Sequence, residues 1–134
     1  MQDKWTFWFE IPVLDFDRAK LFYETIFDMQ ITQVFDTGLF KMGIFPGGGE
    51  VGCAICWGGH YIPTPDGTVV FFDASPDLQI IEDRIEAAGG KVIHPKKMIS
   101  PEQGYMGLFE DCEGNRMGLR SRDLLSTEAT RKTD

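Results

Sequence analysis

The chain has 134 residues, of which 43% are hydrophobic and 25% charged, with a formal net charge of −8. That length suits one compact domain with a core of its own, while the acidic balance argues against nucleic acid, whose partners present basic footprints to the phosphates. No apolar run approaches the roughly 18–20 residues that span a bilayer, Asp3, Lys4 and Glu10 interrupt any leader-like pattern at the N-terminus, and three cysteines do not make a disulfide framework. A cytoplasmic location without a membrane partner is the expectation.

The first element runs over residues 5–13 and reads as a strand. Side chains alternate on a strand, so Phe7, Phe9, Ile11 and Val13 share one face and Trp8, Glu10 and Pro12 the other. The apolar face is expected to carry a helix; the mixed face, with one carboxylate between an indole and a proline, is where a ligand is expected. Asp15 is placed to cap a helix over about 16–27, with Ala19, Phe22, Tyr23 and Ile26 on one stripe. Strands are predicted over 30–35, 39–45 and 51–57, punctuated by Asp36-Thr37-Gly38 and Pro46-Gly-Gly-Gly49. The glycine run joins two strands rather than opening a helix, which makes it a turn and not a phosphate cradle. Cys53 and Cys56 have C-x-x-C spacing but fall on a strand, where they face opposite ways and read as buried structural thiols.

Residues 59–67, rich in glycine and proline, form a linker that carries His60 and Tyr61. The pattern then restarts. A strand over 68–74 leads to Ser75 as helix cap with Pro76 at the first helical position, a helix keeps Leu78, Ile81, Ile85 and Ala88 on one side, and Gly89-Gly90 ends it. Strands over 91–94, 105–110 and 116–121 follow, the last two joined by a tight turn at 111–115. Residues 126–134 are polar and read as a tail. The order strand–helix–three strands thus occurs twice, about 5–58 and 68–122, within one domain of residues 1–125. The predicted fold class is α+β: two βαβββ modules forming a curled mixed sheet around a concave cleft, with the helices outside.

These motifs resemble the vicinal oxygen chelate superfamily, which includes glyoxalase I, bleomycin-resistance proteins, extradiol dioxygenases and methylmalonyl-CoA epimerase. The residues that carry the resemblance are Phe9-Glu-Ile-Pro-Val13 with the helix 17–23, Gly67 to Phe72 with Ile85 to Val92, and Gly104 to Gly118 with Leu119, Arg120 and Ser121. Fold alone does not fix function in such a family. Metal-using members hold a divalent ion with His, Gln or Glu from the first and last strands of each module. Mapped here, those positions fall on Trp8, on Val69 if one extra residue lies within 73–77, on Gly118, and on a residue near Gly52. None of these side chains ligates a metal, so no cofactor is expected and the metal-dependent activities are in doubt.

By strand parity the cleft would be lined by Trp8, Glu10, Val69, Phe71, Gly118 and Arg120, with His60, Tyr61 and Tyr105 at its mouth. Few polar anchors among aromatics is the usual composition of a small-molecule site. Glu10 has two readings: a desolvated carboxylate suited to acid–base catalysis, or a structural partner of an arginine such as Arg120. Three functions therefore stand open. One is a metal-free module binding a small, partly hydrophobic molecule; the second is a metal-independent lyase or isomerase with Glu10 as general base, helped by His60 or Tyr105; the third is a metal enzyme with displaced ligands such as Glu10, Cys56 and His60. The resemblance also implies a homodimer.

Overall fold

The structure, a computed structural model, describes residues 5–47, 49 and 51–123. The expected tail at 126–134 lies outside them. β1 (Trp8–Pro12) leads into α1 (Phe16–Phe27), followed by β2 (Gln33–Asp36), β3 (Lys41–Ile44) and β4 (Gly52–Trp57). β5 (Phe71–Asp73), α2 (Leu78–Ala88), β6 (Lys91–Ser100), β7 (Gly104–Glu110) and β8 (Arg116–Ser121) repeat the sequence of elements. The α+β class and the two βαβββ modules are as expected. Each module forms its own four-stranded mixed sheet, in the orders β1-β4-β3-β2 and β5-β8-β7-β6, with the first strand parallel to the last. The sheets are not closed into a single hydrogen-bonded sheet.

Alternation puts Ile11 and Val13 in the core, as the first strand's pattern requires. Phe9 packs against that core, but Phe7 is 81% exposed and precedes β1, which is shorter than the apolar alternation suggested. α1 begins at its cap Asp15, whose carboxylate accepts from Arg18 N at 3.1 Å. It buries Phe16, Ala19, Phe22, Tyr23 and Ile26.

The second module departs from expectation at two prolines. The Ser75–Pro76 bond is cis and belongs to the turn; Asp77 caps α2 instead, accepting from Gln79 N at 2.9 Å. β6 does not stop before Pro95 but continues to Ser100 with register shifts along its pairing to β7. It tolerates proline because it is an edge strand, where a missing N–H breaks no ladder. β5 is conversely only three residues long. Gly89 ends α2 at φ 112°, a left-handed cap that glycine adopts without strain.

The modules share one core. Phe72 of β5 lies 5.9 Å from Phe9 and 4.8 Å from Phe27, centroid to centroid, and the two helices pack on each other. The tight turn 111–115 of the second module reaches the first. Glu113 accepts from Leu14 N at 2.7 Å, Asp15 N at 3.2 Å and Arg18 Nη2 at 2.8 Å, satisfying amides ahead of α1. Asn115 donates Nδ2 to the Pro12 carbonyl at 2.8 Å and accepts from Thr64 N at 3.1 Å.

Candidate functional site

Each sheet has one face on the helices and one free of them. In the first sheet, register aligns Trp8 with Gly52, Glu10 with Ala54 and Ile44, and Pro12 with Cys56 and Met42 on the free face. The helix side carries Ile11 and Ile55. Trp8 lies on Gly52 so closely that an added methyl carbon there would stand 2.9 Å from its Cζ3. Its indole Nε1 donates to Glu10 Oε2 at 3.0 Å.

Tyr61 reaches the same carboxylate from the linker. Gly58, at φ 124°, would push a Cβ to 2.5 Å from the Leu39 carbonyl, so only glycine turns the chain there. Tyr61 N then closes the turn on the Gly58 carbonyl at 2.9 Å, and the phenol donates to Glu10 Oε1 at 2.5 Å. That bond to an anionic acceptor, together with burial, raises the phenol above its ordinary range. Phe40 sits beside it, ring centroids 5.9 Å apart. Cys56 is fully buried in this region, its thiol pushed up to about 12 by burial and by the Glu10 charge. Cys53 points to the core side and is likewise raised to about 12 by burial.

The alternative partnership of Glu10 with Arg120 is not what the fold builds: Glu10 bonds Trp8 and Tyr61, whereas Arg120 sits in the other sheet and gives Nη2 to the carbonyl and Oε1 of Gln103, at 2.9 and 3.0 Å. Its Nε is buried with no partner. Here Phe71 faces Gly118, and a methyl carbon on Gly118 would stand 2.3 Å from Phe71 Cδ2. Phe71, Asp73, Gln103 and Arg120 border a groove of about 420 Å³. A second groove, of about 340 Å³, lies along the edge of β1 and includes Glu10, Val70 and Arg116.

The other expected site residues are dispersed. His60 is exposed in the turn before Tyr61, and Val69 is half-buried ahead of β5. Tyr105 lies in the second sheet, paired with the buried Ser121 and with the Lys96 ammonium 4.5 Å above its ring centroid, whereas Trp8, Glu10 and Tyr61 meet on the first. Among the described residues, Glu10, Cys56 and His60 do not converge as a metal-holding group. The spacing of the sequence could not reveal the Tyr61–Glu10 bond, because it joins a linker to a strand 51 residues away.

Register also tests whether the residues fit the metal that the fold family implies. Val13 N bonds the Cys56 carbonyl and Ala74 N the Arg120 carbonyl, both at the closing end of their parallel pairs. This aligns Pro12 with Asp73, Trp8 with Val69, and Gly118 with Ala54, two residues beyond Gly52. Indole, isopropyl, hydrogen and methyl groups occupy the four positions, and the volume above Gly118 is taken by the Phe71 ring. They offer no donor oxygen or imidazole, so these positions do not fit a divalent ion.

Two sheets of this topology, each opening a face away from its helix, define a βαβββ module pair. The chain belongs to the glyoxalase/bleomycin resistance protein/dioxygenase superfamily, whose family model matches residues 6–119. It is similar in structure to a glyoxalase/bleomycin resistance protein from Albidiferax ferrireducens T118, with a TM-score of 0.67 and 19% identity over 87% of this chain and 97% of that one. A glyoxalase/bleomycin resistance protein from Streptomyces sp. CB03234 gives 0.67 and 20% over 87% and 100%. A genomically encoded fosfomycin resistance protein from Listeria monocytogenes gives 0.64 and 19% over 90% and 92%. No curated protein matches the chain. No helix among the described residues is long and apolar enough to cross a membrane.

Proposed function

We propose that this protein is a cytoplasmic, metal-free binding module for a small, partly hydrophobic molecule, seated on the free sheet faces. The observation that carries the reading is the pair of aromatic-on-glycine contacts, Trp8 on Gly52 and Phe71 on Gly118. They furnish apolar walls where metal enzymes of this fold need ligating side chains. Polar anchors are few and placed: Glu10 beside Trp8, Arg120 beside Phe71. Exposed Trp8, Phe35 and Phe71 on these faces also support a homodimer in which a second copy completes the cleft. The test combines metal analysis of protein purified without chelator, light scattering, and thermal-shift screening against a metabolite library. Metal-free dimers stabilised by an aromatic or aliphatic small molecule are expected; a stoichiometric, tightly held divalent ion overturns the metal-free reading, and a monomer that binds at full strength overturns the dimer.

A second reading, a metal-independent lyase or isomerase with Glu10 as general base, is favoured by the Tyr61 and Trp8 bonds that fix the carboxylate in place, since a base must be held within reach of the proton it takes. Glu10→Gln separates the two: binding retained with turnover abolished marks the enzyme.

A further inference from the structure

We infer that the free face of the first sheet is a site for an organic cation, an ammonium or guanidinium group on an apolar body, received by Glu10 between Trp8 and Tyr61. The inference rests on the binding-module reading above and names the ligand class of that site.

Three features converge on this chemistry. The Glu10 carboxylate is exposed, yet both oxygens are already held, Oε1 by the Tyr61 phenol at 2.5 Å and Oε2 by the Trp8 indole at 3.0 Å. Both donors are neutral, so they orient the negative charge without cancelling it. Each oxygen keeps a lone pair for a further donor. A carboxylate held this way loses little side-chain freedom when a ligand arrives.

The flanking groups have the same preference. Trp8 is 37% exposed, and Tyr61 is partly exposed with Phe40 beside its ring. Aromatic faces are electron-rich and attract cations, indole most of all. Cys56 stays a neutral thiol near neutral pH, because burial and the Glu10 charge push it up to about 12, so it adds no competing charge. Arg116 shares the β1-edge groove with Glu10 but turns its Nη2 to the Gly67 carbonyl at 3.4 Å. A bare divalent ion is a poor occupant, since one carboxylate and three aromatic rings supply too few hard donors. An organic cation needs only the charge, one or two acceptors and apolar walls. The chain's net charge of −8 adds long-range attraction for such ligands.

Benzylammonium, benzyl alcohol and benzoate test this by titration against Trp8 and Tyr61 resonances in two-dimensional NMR, with Glu10→Gln and Tyr61→Phe proteins alongside. Benzylammonium is expected to perturb Trp8 Nε1–H and to bind roughly tenfold tighter than benzyl alcohol. Benzoate is expected not to bind this face. Glu10→Gln keeps side-chain length and removes the charge; it should erase the preference for benzylammonium over the alcohol while leaving the fold's spectrum intact. Tyr61→Phe should weaken it less. Equal binding of the alcohol, binding of benzoate at Trp8, or a preference that survives Glu10→Gln overturns the cation assignment and leaves the binding-module reading standing. If none of the three probes, and no compound of the wider screen, perturbs either free face, both readings fall together. A Glu10→Gln protein that instead loses its dimer in the absence of any probe shows that Glu10 pairs with a second copy, and also overturns the assignment.

Discussion

Tyr23 of α1 donates its hydroxyl to Asp111 of the β7–β8 turn at 2.6 Å, joining two residues 88 positions apart in the two modules. Both are buried, Tyr23 completely. Asp111 also accepts from Glu113 N and Asn115 N at 2.8 and 2.9 Å and from Asn115 Nδ2 at 3.1 Å, so its carboxylate is satisfied inside the protein. The turn is therefore shaped by the same group that ties it to the first helix.

Tyr23→Phe removes one donor and leaves the others. The expected loss is about 1–3 kcal/mol, the range for a hydrogen bond to a charged, buried acceptor, measured by urea unfolding. The pH dependence has a definite sign. Burial first, and the Asp111 charge second, raise the Tyr23 phenol well above its ordinary value. A raised acid keeps its neutral form in the folded state, so its contribution is present below the unfolded value of about 10 and is lost as pH rises further. Wild type should therefore lose stability more steeply than Tyr23→Phe above about pH 10. Parallel curves there would contradict the buried neutral phenol.

Glu113 is the second tie, and its carboxylate is nearly inaccessible, with 1% side-chain exposure. Glu113→Ala strips the acceptor from Leu14 N, Asp15 N and Arg18 Nη2 at once. A loss of roughly 1–3 kcal/mol is expected, as for unpaired donors at a helix start. Glu113→Gln, which keeps one acceptor oxygen, should lose less. Hydrogen exchange should show the loss locally, as faster exchange at Leu14 and Asp15 than elsewhere in the variant.

How far the sequence reveals this architecture depends on the range of the interaction. The α1 stripe, its Asp15 cap and the Ile11/Val13 alternation rest on neighbours two to four residues apart, and all appear as expected. The repeat is visible because each module restates the same local pattern. The ends of β5 and β6 and the α2 cap are not: Asp77 rather than Ser75 caps the helix and Pro95 is carried on an edge strand, outcomes settled by tertiary surroundings. In the candidate site, parity finds Trp8 and Glu10 on one face. The role of Tyr61 as donor to Glu10 is invisible from spacing, since it depends on how the linker folds back after Gly58. The same holds for Glu113, whose partners lie 95 or more residues away.

Two glycines should respond unequally to the same methyl group. At Gly43 an added carbon would stand 2.9 Å from Phe16 Cζ, 3.1 Å from Ile31 Cγ2 and 3.3 Å from Ile55 Cγ1, all buried. Gly43→Ala is expected to cost about 1–3 kcal/mol through overpacking. At Gly118 the clash is tighter, 2.3 Å, but it is with the ring of Phe71, which is 42% exposed, rather than with buried core. Gly118→Ala should cost less than about 1 kcal/mol while displacing the wall of the groove beside Arg120. Thermal unfolding reads the first effect; ligand titration on the second sheet reads the second.

Lys96 bridges two carboxylates. Its ammonium contacts Asp77 at 2.8 Å and Asp123 at 2.5 Å and stands over Tyr105, so one side chain of β6 links the α2 cap to the segment after β8. The Lys96 bond lowers Asp77. For Lys96 itself, burial opposes the charge, but the bonds to Asp123 and Asp77 outweigh it and leave it raised. A lowered carboxylate contributes stability above its unfolded value, about 3.9, and loses it as pH falls. A raised ammonium contributes below about 10.4 and loses its contribution as pH rises beyond that. Lys96→Met keeps the length and removes the charge, leaving Asp77 and Asp123 without this shared ammonium. The variant should melt below wild type across about pH 5–10, with the gap narrowing on either side. In acid the narrowing has a double origin: protonation of Asp77 removes an attraction from the wild type and relieves carboxylate repulsion in the variant. Melting curves at pH 3, 7 and 11 distinguish this from a packing loss, which would leave the gap unchanged at all three.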